Sequence, residues 1–306
     1  MNVLITGGAG YIGTELAYAL AERPEVDRVV IYDNLSRGNY NLLIGQNKLN
    51  AKFRFVRADL LDTITLKKHL SEIDAVYHLA AKVTTPFADH SAHQFDQINN
   101  WGTAELVYAI EENPRIKRVV YTSSASVYGS SRDLVSVESP LNPRSFYGIS
   151  KMRGEEHVRR LLAKDIQTYI IRLGNVYGYN KSMRFDSVIN KFMFAANYER
   201  LITINGNGQQ QRSFIHIDKT ANILAQLISN RLAPGLYDLA EDALSINHIA
   251  DTIQSIYPGL EMIYINQNLK MRQLRVAVDP RINGLTSITH RNLREVLEAF
   301  RGKFSF

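Results

Sequence analysis

The chain has 306 residues, of which 45% are hydrophobic and 22% are charged, and its formal net charge is +6 at pH 7. This composition is typical of a globular protein with a large core, and the absence of cysteine excludes disulfides, thiolate nucleophiles and cysteine-bound metals. The sequence has no apolar run of about 18 residues to span a bilayer, no basic tail typical of nucleic-acid binding, and no histidine pattern that indicates a metal site.

A glycine-rich turn follows the apolar strand at the start of the chain. Gly7, Gly10 and Gly13 permit positive φ and a close approach of the backbone to a ligand, and an amphipathic helix begins beside them. The free N–H groups at the start of that helix attract an anion, and pyrophosphate is the natural candidate. About 20 residues further on, an apolar run ends at Asp33, where a dinucleotide-binding unit places an acid on the adenosine ribose. We therefore predict a dinucleotide site, although an aspartate in this place can also be an ordinary turn residue.

The first half of the chain alternates β-branched strands with helical patterns. This alternation predicts an α/β fold, a doubly wound parallel sheet with helices on both faces. The predicted strands are 3–6, 28–32, 53–57, 75–78, 118–123 and 168–173, the predicted helices are 12–22, 63–71, 92–112 and 147–164, and 35–51 reads as a loop. Six such strands suit a dinucleotide-binding Rossmann domain over residues 1–174.

Beyond residue 174 the regular alternation ends, which predicts a smaller, mixed α/β lobe for the substrate over residues 175–306. Its predicted elements are helices at 187–198, 219–229, 246–256 and 292–300 and strands at 201–204 and 235–239. We interpret the polar stretch 180–186 as mobile. The lobe is expected to be discontinuous, with a segment near 210–230 returning to the first domain.

Hydroxyl groups are concentrated where the fifth predicted strand ends. Thr122 and Ser124 lie there, at the carboxyl edge of the sheet, where doubly wound folds bind ligands. Further along, Tyr147 and Lys151 are four residues apart and share one helix face. Because a phenol titrates near 10, we expect Lys151 to stabilise the phenolate, lower its pKa and reach the nicotinamide ribose.

These residues together predict hydride transfer. Tyr147 would remove a proton from a hydroxyl as hydride leaves the same carbon, and Ser124 would hydrogen-bond the developing carbonyl oxygen. Taken singly, each residue is also common in ordinary helices and loops. Their joint occurrence behind a glycine turn favours the catalytic interpretation.

Residues 1–218 resemble the extended short-chain dehydrogenase/reductases, specifically the nucleotide-sugar epimerase/dehydratase family with its UDP-glucose 4-epimerase-like members. The matching segments are 7–13, 33–35, 59–60, 78–81, 99, 102–103, 123–124, 147 with 151, and 172–178. The resemblance implies NAD as the cofactor, an adenine bracketed by residues 59–60 and a nicotinamide side formed by residues 79–81. The implied cofactor contacts are Gly7, Gly10, Tyr11, Ile12, Gly13, Asp33, Asn34, Asp59, Leu60, Leu79, Ala80, Ala81, Asn99, Thr122, Tyr147 and Lys151.

The resemblance also implies contacts to a nucleoside-diphosphate sugar. Ser124 would contact the sugar, Asn175 the diphosphate region and Arg212 the diphosphate itself, with Arg275 as a second candidate. A guanidinium suits phosphate geometry, although an arginine can also be a plain surface charge. Ser213 stands where family members usually have an aspartate after that arginine, so we expect its local support to differ.

The residues after the catalytic serine discriminate among the family's reactions. Members resembling 4,6-dehydratases carry Asp-Glu there, and sugar-acid decarboxylases carry a glutamate two positions on, whereas this chain has Ala125 and Ser126. The expected reaction is therefore 4-epimerisation through a transient 4-keto intermediate, with NAD regenerated in each turnover. The alternatives are a nucleotide-sugar keto-reductase or dehydrogenase with net cofactor turnover and, in another class, a non-catalytic dinucleotide sensor.

Three further expectations concern cofactor choice, assembly and location. The carboxylate of Asp33 favours NAD because it would repel a 2′-phosphate, although Arg37 lies nearby. Helices 92–112 and 147–164 lie where family members form a four-helix dimer interface, so the resemblance implies a homodimer. The first predicted strand begins near residue 2 and leaves no room for a signal peptide, so we expect a cytoplasmic protein.

Overall fold

The computed structural model describes residues 1–42, 51–83, 91–268, 271–289 and 292–304. Residues 43–50, the centre of the predicted loop 35–51, lie outside the described residues. The central sheet has seven parallel strands in the order β11-β7-β5-β4-β1-β2-β3. Its strands are β1 (Asn2–Thr6), β2 (Arg28–Asp33), β3 (Phe53–Arg57), β4 (Ala75–His78), β5 (Arg118–Ser124), β7 (Gln167–Leu173) and β11 (Gly235–Leu239). The predicted doubly wound parallel sheet is confirmed.

Helices cover both faces of this sheet. They are α1 (Tyr11–Ala21), α2 (Thr63–Leu70), α3 (Ala92–Phe95), a π-helical turn at Asp96–Trp101, α4 (Gly102–Glu111), α5 (Phe146–Arg159) and α7 (Ile217–Gln226). Because side chains alternate along a strand, β1 sends Val3 and Ile5 into the core under α1 and α7. Leu4 points to the opposite core, under α2, α4 and α5.

Three small sheets are built mainly from the second half of the chain, and one of them includes a short strand from the first half. They pair β8 (Asn175–Tyr177) and β12 (Asp242–Ser245) with β10 (Gln211–His216), β9 (Leu201–Asn205) with β13 (Glu261–Ile265), and β6 (Leu134–Val135) with β14 (Arg275–Val276). The helices here are α6 (Val188–Tyr198), α8 (Ile246–Ile256), α9 (Pro280–Asn283) and α10 (Leu293–Arg301). Phe192, Ile253 and Leu297 share a separate apolar core. The division of the chain at residue 174 stays a prediction.

Two expectations for the second half are corrected. The strand at 235–239, assigned to the smaller lobe, is β11, which pairs in parallel with β7 from Gly235↔Tyr169 to Leu239↔Leu173. The stretch 180–186, interpreted as mobile, has buried contacts: Asn180 Nδ2 donates to the Tyr11 carbonyl (2.7 Å). Both errors have the same cause. The contacting residues lie more than 60 positions away in the sequence, and no local sequence pattern predicts such contacts. Within the described ranges, none of the helices has the length and apolarity to cross a membrane.

Candidate active site

The glycine turn between β1 and α1 is packed too closely for side chains. Gly7 has φ +70°, and a Cβ there would lie 2.6 Å from the backbone nitrogen of Ala80. A Cβ on Gly13 would lie 2.4 Å from the Gly7 carbonyl oxygen. Gly10 is the N-cap residue of α1 and has no side chain to cap it, so the first N–H groups of the helix are left for a ligand. This cradle fits the pyrophosphate of a dinucleotide.

The ends of β2 and β3 meet beside this turn. Asp33 accepts the N–H of Ala9 in the glycine turn (3.1 Å), and Asn34 Nδ2 donates to Asp59 Oδ2 (2.8 Å). Burial raises the pKa of Asp33, and its backbone hydrogen bonds partly oppose that shift. Leu60, next to Asp59, is buried in the core under α2 and α4. These contacts place the predicted adenosine-side residues together at one edge of the sheet.

Residues 79–81 leave β4 on the other side of the glycine turn. Leu79 N donates to the Thr6 carbonyl (3.0 Å), and Ala80 N contacts Thr6 Oγ1 (3.3 Å). Leu79, Ala80 and Ala81 are all half-buried, so this backbone borders both the turn and open space. The family resemblance assigns this stretch of backbone to the nicotinamide side of the cofactor site.

Asn99 joins this backbone to the catalytic helix. It lies in the π-helical turn, a geometry that is frequent at functional sites. Its amide binds both the N–H (2.7 Å) and the carbonyl (2.9 Å) of Lys82 and donates to Ser150 Oγ (2.9 Å). Since Ser150 precedes Lys151 on α5, Asn99 fixes that helix relative to β4.

Tyr11 and Ile12 have a second role besides the predicted cofactor contact. The Tyr11 hydroxyl donates to the Gly178 carbonyl (2.6 Å), and Ile12 packs against the cores of both halves of the chain. The start of the cofactor helix is therefore attached to the loop that follows β8.

Ser124 and Tyr147 come together although 22 residues separate them in sequence. Ser124 ends β5 and accepts the N–H of Ser126 (3.1 Å), which caps the short 3-10 turn Ala125–Tyr128. Tyr147 lies in the first turn of α5, which Ser145 caps, and is close enough to Ser124 for that hydroxyl to lower its pKa. Thr122 uses its hydroxyl inside the sheet, where it donates to the backbone of β4 (3.2 Å).

Lys151 lies below Tyr147 in a nearly closed environment. Its side chain is 2% exposed, and Nζ lies 4.3 Å from the ring centroid of Tyr121, a cation–π contact. Burial lowers the pKa of Lys151 to about 7, and the charge of Glu155 partly opposes that shift. Burial raises the pKa of Tyr147, while the Ser124 hydrogen bond and the charge of Arg184 lower it. Arg184 is the cation that lowers the Tyr147 pKa in this structure, and the expected effect of Lys151 on that pKa stays a prediction.

Sequence reasoning missed Arg184. Its guanidinium binds both oxygens of Asp186 (3.0 and 2.9 Å), and Asp186 lies 3.9 Å from Arg37 Nη2. Arg37, Lys181, Arg184 and Asp186 line a cavity of about 380 Å³, within the range of small-molecule sites. The excess of cations over acids makes this cavity suitable for an anionic group. The only hint in the sequence is that Arg184 follows the 172–178 segment, within the stretch interpreted as mobile.

The arginines predicted for the substrate lie on and beside β10. Burial lowers the pKa of Arg212 to about 10, and the positive charge of Arg272 adds to that shift. Among the described residues, no acidic side chain forms an ion pair with Arg212. Arg275 instead donates to the Arg132 carbonyl (2.7 Å), with its Nε buried and unpartnered. The positive charge of Arg272, which the sequence analysis did not name, acts on Arg212, and the substrate role of Arg275 stays a prediction.

The remaining predicted substrate residue lies beside this arginine strand. Asn175 begins β8, is exposed, and donates to the Ser213 carbonyl (3.0 Å). Ser213, which replaces the usual aspartate, accepts the N–H of Val276 (2.8 Å) and so holds β14 against β10. In the described parts of the chain, no three acidic or histidine side chains gather as a metal site would require.

Comparison with known proteins agrees with this geometry. The model of the NAD dependent epimerase/dehydratase family matches residues 3–240. The putative UDP-glucose 4-epimerase of Methanocaldococcus jannaschii is 32% identical over 73% of this chain and 72% of its own. Human dTDP-D-glucose 4,6-dehydratase is 32% identical over 70% of this chain and 62% of its own. The chain therefore belongs to the NAD dependent epimerase/dehydratase family, which confirms the predicted family and NAD as the cofactor.

A solved structure extends the match to nearly the whole chain. UDP-glucuronic acid 4-epimerase from Bacillus cereus, in complex with UDP-glucuronic acid and NAD, covers 99% of this chain and 98% of its own. The TM-score is 0.87 and the sequence identity is 26%. Together with the relatives at 32% identity, it places the protein among NAD-dependent nucleotide-sugar epimerases and dehydratases.

Proposed function

We propose that the protein is an NAD-dependent 4-epimerase of a nucleoside-diphosphate sugar. The observation that supports this most is the Ser124–Tyr147 pair above a buried Lys151. Apart from burial, the groups that shift the Tyr147 pKa are Ser124 and Arg184, and no carboxylate of the described residues is among them. Ala125 is buried and apolar, so this side of the site offers no acid or base to a second sugar carbon.

The proposed cycle has two mirror-image halves. When bound, NAD supplies a hydride acceptor and, once reduced, a hydride donor. Tyr147 Oη takes the proton of the sugar 4-hydroxyl in the first half and returns it in the second, and Ser124 Oγ stabilises the oxygen between. Lys151 holds positive charge below the phenol. The 4-keto sugar rotates within the site before the second half, and this rotation leads to inversion of the configuration at C4.

A 4,6-dehydratase would share the first half of this cycle. It would then need an acid and a base to eliminate water across C5 and C6. The positions that supply them in dehydratase-like members are Ala125 and Ser126 here, and the backbone of Ser126 is already bonded to Ser124. This observation favours epimerisation although a dehydratase stands among the relatives.

Charge indicates the class of nucleotide sugar. Arg212 and Arg272 suit the diphosphate, because a guanidinium matches phosphate geometry and neither has an acidic partner among the described residues. Arg184 places a further cation beside Tyr147, where the sugar would lie. Asp186 already pairs with Arg184, and Arg37 and Lys181 leave the cavity that these residues line with a net positive charge, which a sugar carboxylate would compensate. The similar Bacillus cereus enzyme was crystallised with UDP-glucuronic acid. Uronic-acid nucleotides are therefore the first substrates to test.

The test incubates the purified, NAD-loaded protein with matched pairs of 4-epimers, with and without a sugar carboxylate, and follows the anomeric protons by NMR. We expect interconversion from both directions without a lasting rise in reduced-nicotinamide absorbance. A 4-keto-6-deoxy product would show a dehydratase, and stoichiometric NADH formation would show a dehydrogenase. A wild-type protein as inactive as its Tyr147→Phe variant on every pair would favour the dinucleotide sensor and contradict the proposal.

We also propose a homodimer built on α4 and α5. Large apolar side chains are exposed along these helices and their extensions: Trp101 (56%), Tyr108 (38%), Phe146 (43%) and Leu162 (36%). Such a cluster suits a helix-to-helix interface. Gel filtration at micromolar concentration should give twice the monomer mass, and a Trp101→Glu, Tyr108→Glu variant should elute as a monomer. A monomeric wild type would contradict this assembly.

A further inference from the structure

A buried carboxylate lies one helical turn beyond Lys151 on α5. Glu155 Oε1 accepts hydrogen bonds from Ser123 Oγ (2.5 Å) and Arg172 Nε (2.9 Å), and Oε2 accepts one from Arg172 Nη2 (2.7 Å). Glu155 and Arg172 are each 1% exposed. Since residues i and i+4 share a helix face, the same carboxylate faces Lys151 and also contacts the residue before Ser124.

The network continues away from the site into the edge strand. Arg172 Nη1 donates to the Tyr128 hydroxyl (2.9 Å), which donates in turn to both carboxylate oxygens of Asp238 on β11 (2.8 and 2.9 Å). Burial raises the pKa of Asp238 to about 6. Arg172 therefore has carboxylates on both sides, and Glu155 is held in place from the sheet as well as from its own helix.

The groups packed around Lys151 leave Glu155 as its anionic neighbour among the described residues. From β5, Tyr121 presents its ring face. From β4, His78 stacks on the ring of Tyr121, and the two ring centroids lie 5.3 Å apart. His78 is fully buried, which lowers its pKa to about 3, so its imidazole is neutral. From α5, Glu155 is the one charge that favours the ammonium form of Lys151.

We propose that Glu155 is a positioning residue for the reaction proposed above. It holds Lys151 as an ammonium ion beneath Tyr147 and, through Ser123, fixes the end of β5 that carries Ser124. The role of Lys151 in that reaction rests on the proposed function, whereas the effect of Glu155 on Lys151 does not.

Removal of the Glu155 charge has a defined sign. Burial already lowers the pKa of Lys151 to about 7, and loss of a neighbouring opposite charge lowers it by about 1 unit or more. At pH 7 the ammonium fraction would fall from about one half to about one tenth or less. The alkaline limb of the kcat profile would move to lower pH by the same interval.

The direct test measures Lys151 itself by NMR of protein labelled with ¹³Cε-lysine and saturated with NAD. The Lys151 signal is assigned with a Lys151→Arg variant and titrated in wild type, Glu155→Gln and Glu156→Gln. Glu156 is the matched control because it is the adjacent glutamate and is exposed. We expect a midpoint lower by about 1 pH unit or more in Glu155→Gln and unchanged in Glu156→Gln. Equal midpoints in all three proteins would overturn the proposal.

Folding must be separated from titration, because Glu155→Gln leaves Arg172 buried beside one carboxylate fewer. The double variant Glu155→Gln, Arg172→Met removes both buried charges and is expected to fold. Because it also removes a cation, its Lys151 midpoint should lie between the midpoints of Glu155→Gln and wild type. Glu155→Asp keeps the charge and should return the midpoint toward the wild-type value. A midpoint in Glu155→Asp as low as the midpoint in Glu155→Gln would also overturn the proposal.

Kinetics then separate this inference from the proposed function. In Glu155→Gln the alkaline limb of kcat should move to lower pH, and Glu155→Asp should restore it. If wild-type protein converts no nucleotide sugar, the proposed function fails, but the NMR titration still decides the effect of Glu155 on Lys151.

Discussion

The catalytic side and the substrate side of the site treat charge in opposite ways. On the catalytic side, the carboxylate and guanidinium buried under β5 and α5 have partners within the chain: Glu155 binds Arg172, and Arg172 reaches Asp238 through Tyr128. The charge of Glu155 also favours the ammonium form of the buried Lys151. On the substrate side, Arg212 is largely buried with no acidic partner among the described residues, and a second arginine acts on it.

The difference shows what each side is built for. A charged side chain that is compensated inside the protein keeps a fixed position, so it can stabilise one protonation state of a neighbouring group through the whole reaction cycle. A charge left without a partner carries a desolvation cost that only a ligand relieves. The catalytic side is therefore complete without substrate, whereas the substrate side depends on an anion. Four variants test this contrast, from the largest expected effect to the smallest.

Tyr147→Phe removes the proton carrier from the complete side. We expect kcat to fall by about 10²–10⁴-fold, with KM and the melting temperature nearly unchanged, because only the hydroxyl bonded to Ser124 is lost. NMR of epimer interconversion and thermal denaturation measure the two effects. Tyr18→Phe on α1 is the control, since it keeps its ring contact with Phe53. A variant with more than about a tenth of wild-type kcat would contradict the assignment.

Gly7→Ala tests how tightly the cofactor cradle is packed. Gly7 and Gly38 have nearly the same φ, +70° and +67°. A Cβ added to Gly7 would lie 2.6 Å from the backbone nitrogen of Ala80, whereas a Cβ added to Gly38 would have no atom within 4 Å. Both substitutions carry the conformational cost, and Gly7→Ala should cost about 1–3 kcal/mol more in urea unfolding. NAD affinity by calorimetry should fall only for Gly7→Ala. Equal losses in the two variants would argue against the close packing.

Arg212→Met removes the unpaired cation of the substrate side. KM should rise about 10–100-fold with little change in kcat, the loss typical of a hydrogen bond to a charged group. Without substrate the variant should be at least as stable as wild type, because an uncompensated buried cation is gone. Steady-state kinetics and urea unfolding measure both quantities. Arg272→Met should follow the same pattern more closely than Arg275→Met, and the reverse order would restore Arg275 as the second arginine.

Arg184→Met acts where the two sides meet. Arg184 lowers the pKa of Tyr147, so its removal raises that pKa and shifts the acid limb of kcat to higher pH. A shift of about 0.5–1 unit lowers kcat about 3–10-fold on the acid limb. The control is Arg37→Met, which removes the other basic neighbour of Asp186. An acid limb that stays in place in Arg184→Met would show that Arg184 does not act on Tyr147.

Much of the catalytic side is readable from local sequence. Strands β1, β2, β4 and β5 contain short apolar runs, and β3 alternates apolar residues with arginines. A positive-φ glycine turn can be recognised because few other residues permit it. Tyr147 and Lys151 could be paired from their spacing alone, because helix geometry puts residues i and i+4 on one face. The sequence also shows that Ala125 and Ser126 follow Ser124, which argues against a dehydratase and favours an epimerase.

The substrate side and the electrostatics of the site could not be read in this way. Arg184 acts on Tyr147 across 37 positions of sequence, and β11 joins β7 after more than 60. The pKa of Tyr147 is raised where a nearby lysine was expected to lower it, because burial outweighs the neighbouring charges.

The amino-acid sequence alone determined the parallel sheet, the glycine cradle and the Ser124, Tyr147 and Lys151 set, since these depend on periodicity, backbone freedom and spacing within single elements. Only the tertiary structure decided which charged side chains are neighbours. Examples are the ion pair of Glu155 with Arg172 and the effect of the Arg272 charge on Arg212. Burial and charge proximity belong to the folded chain, because they arise from elements that approach each other only when the core forms.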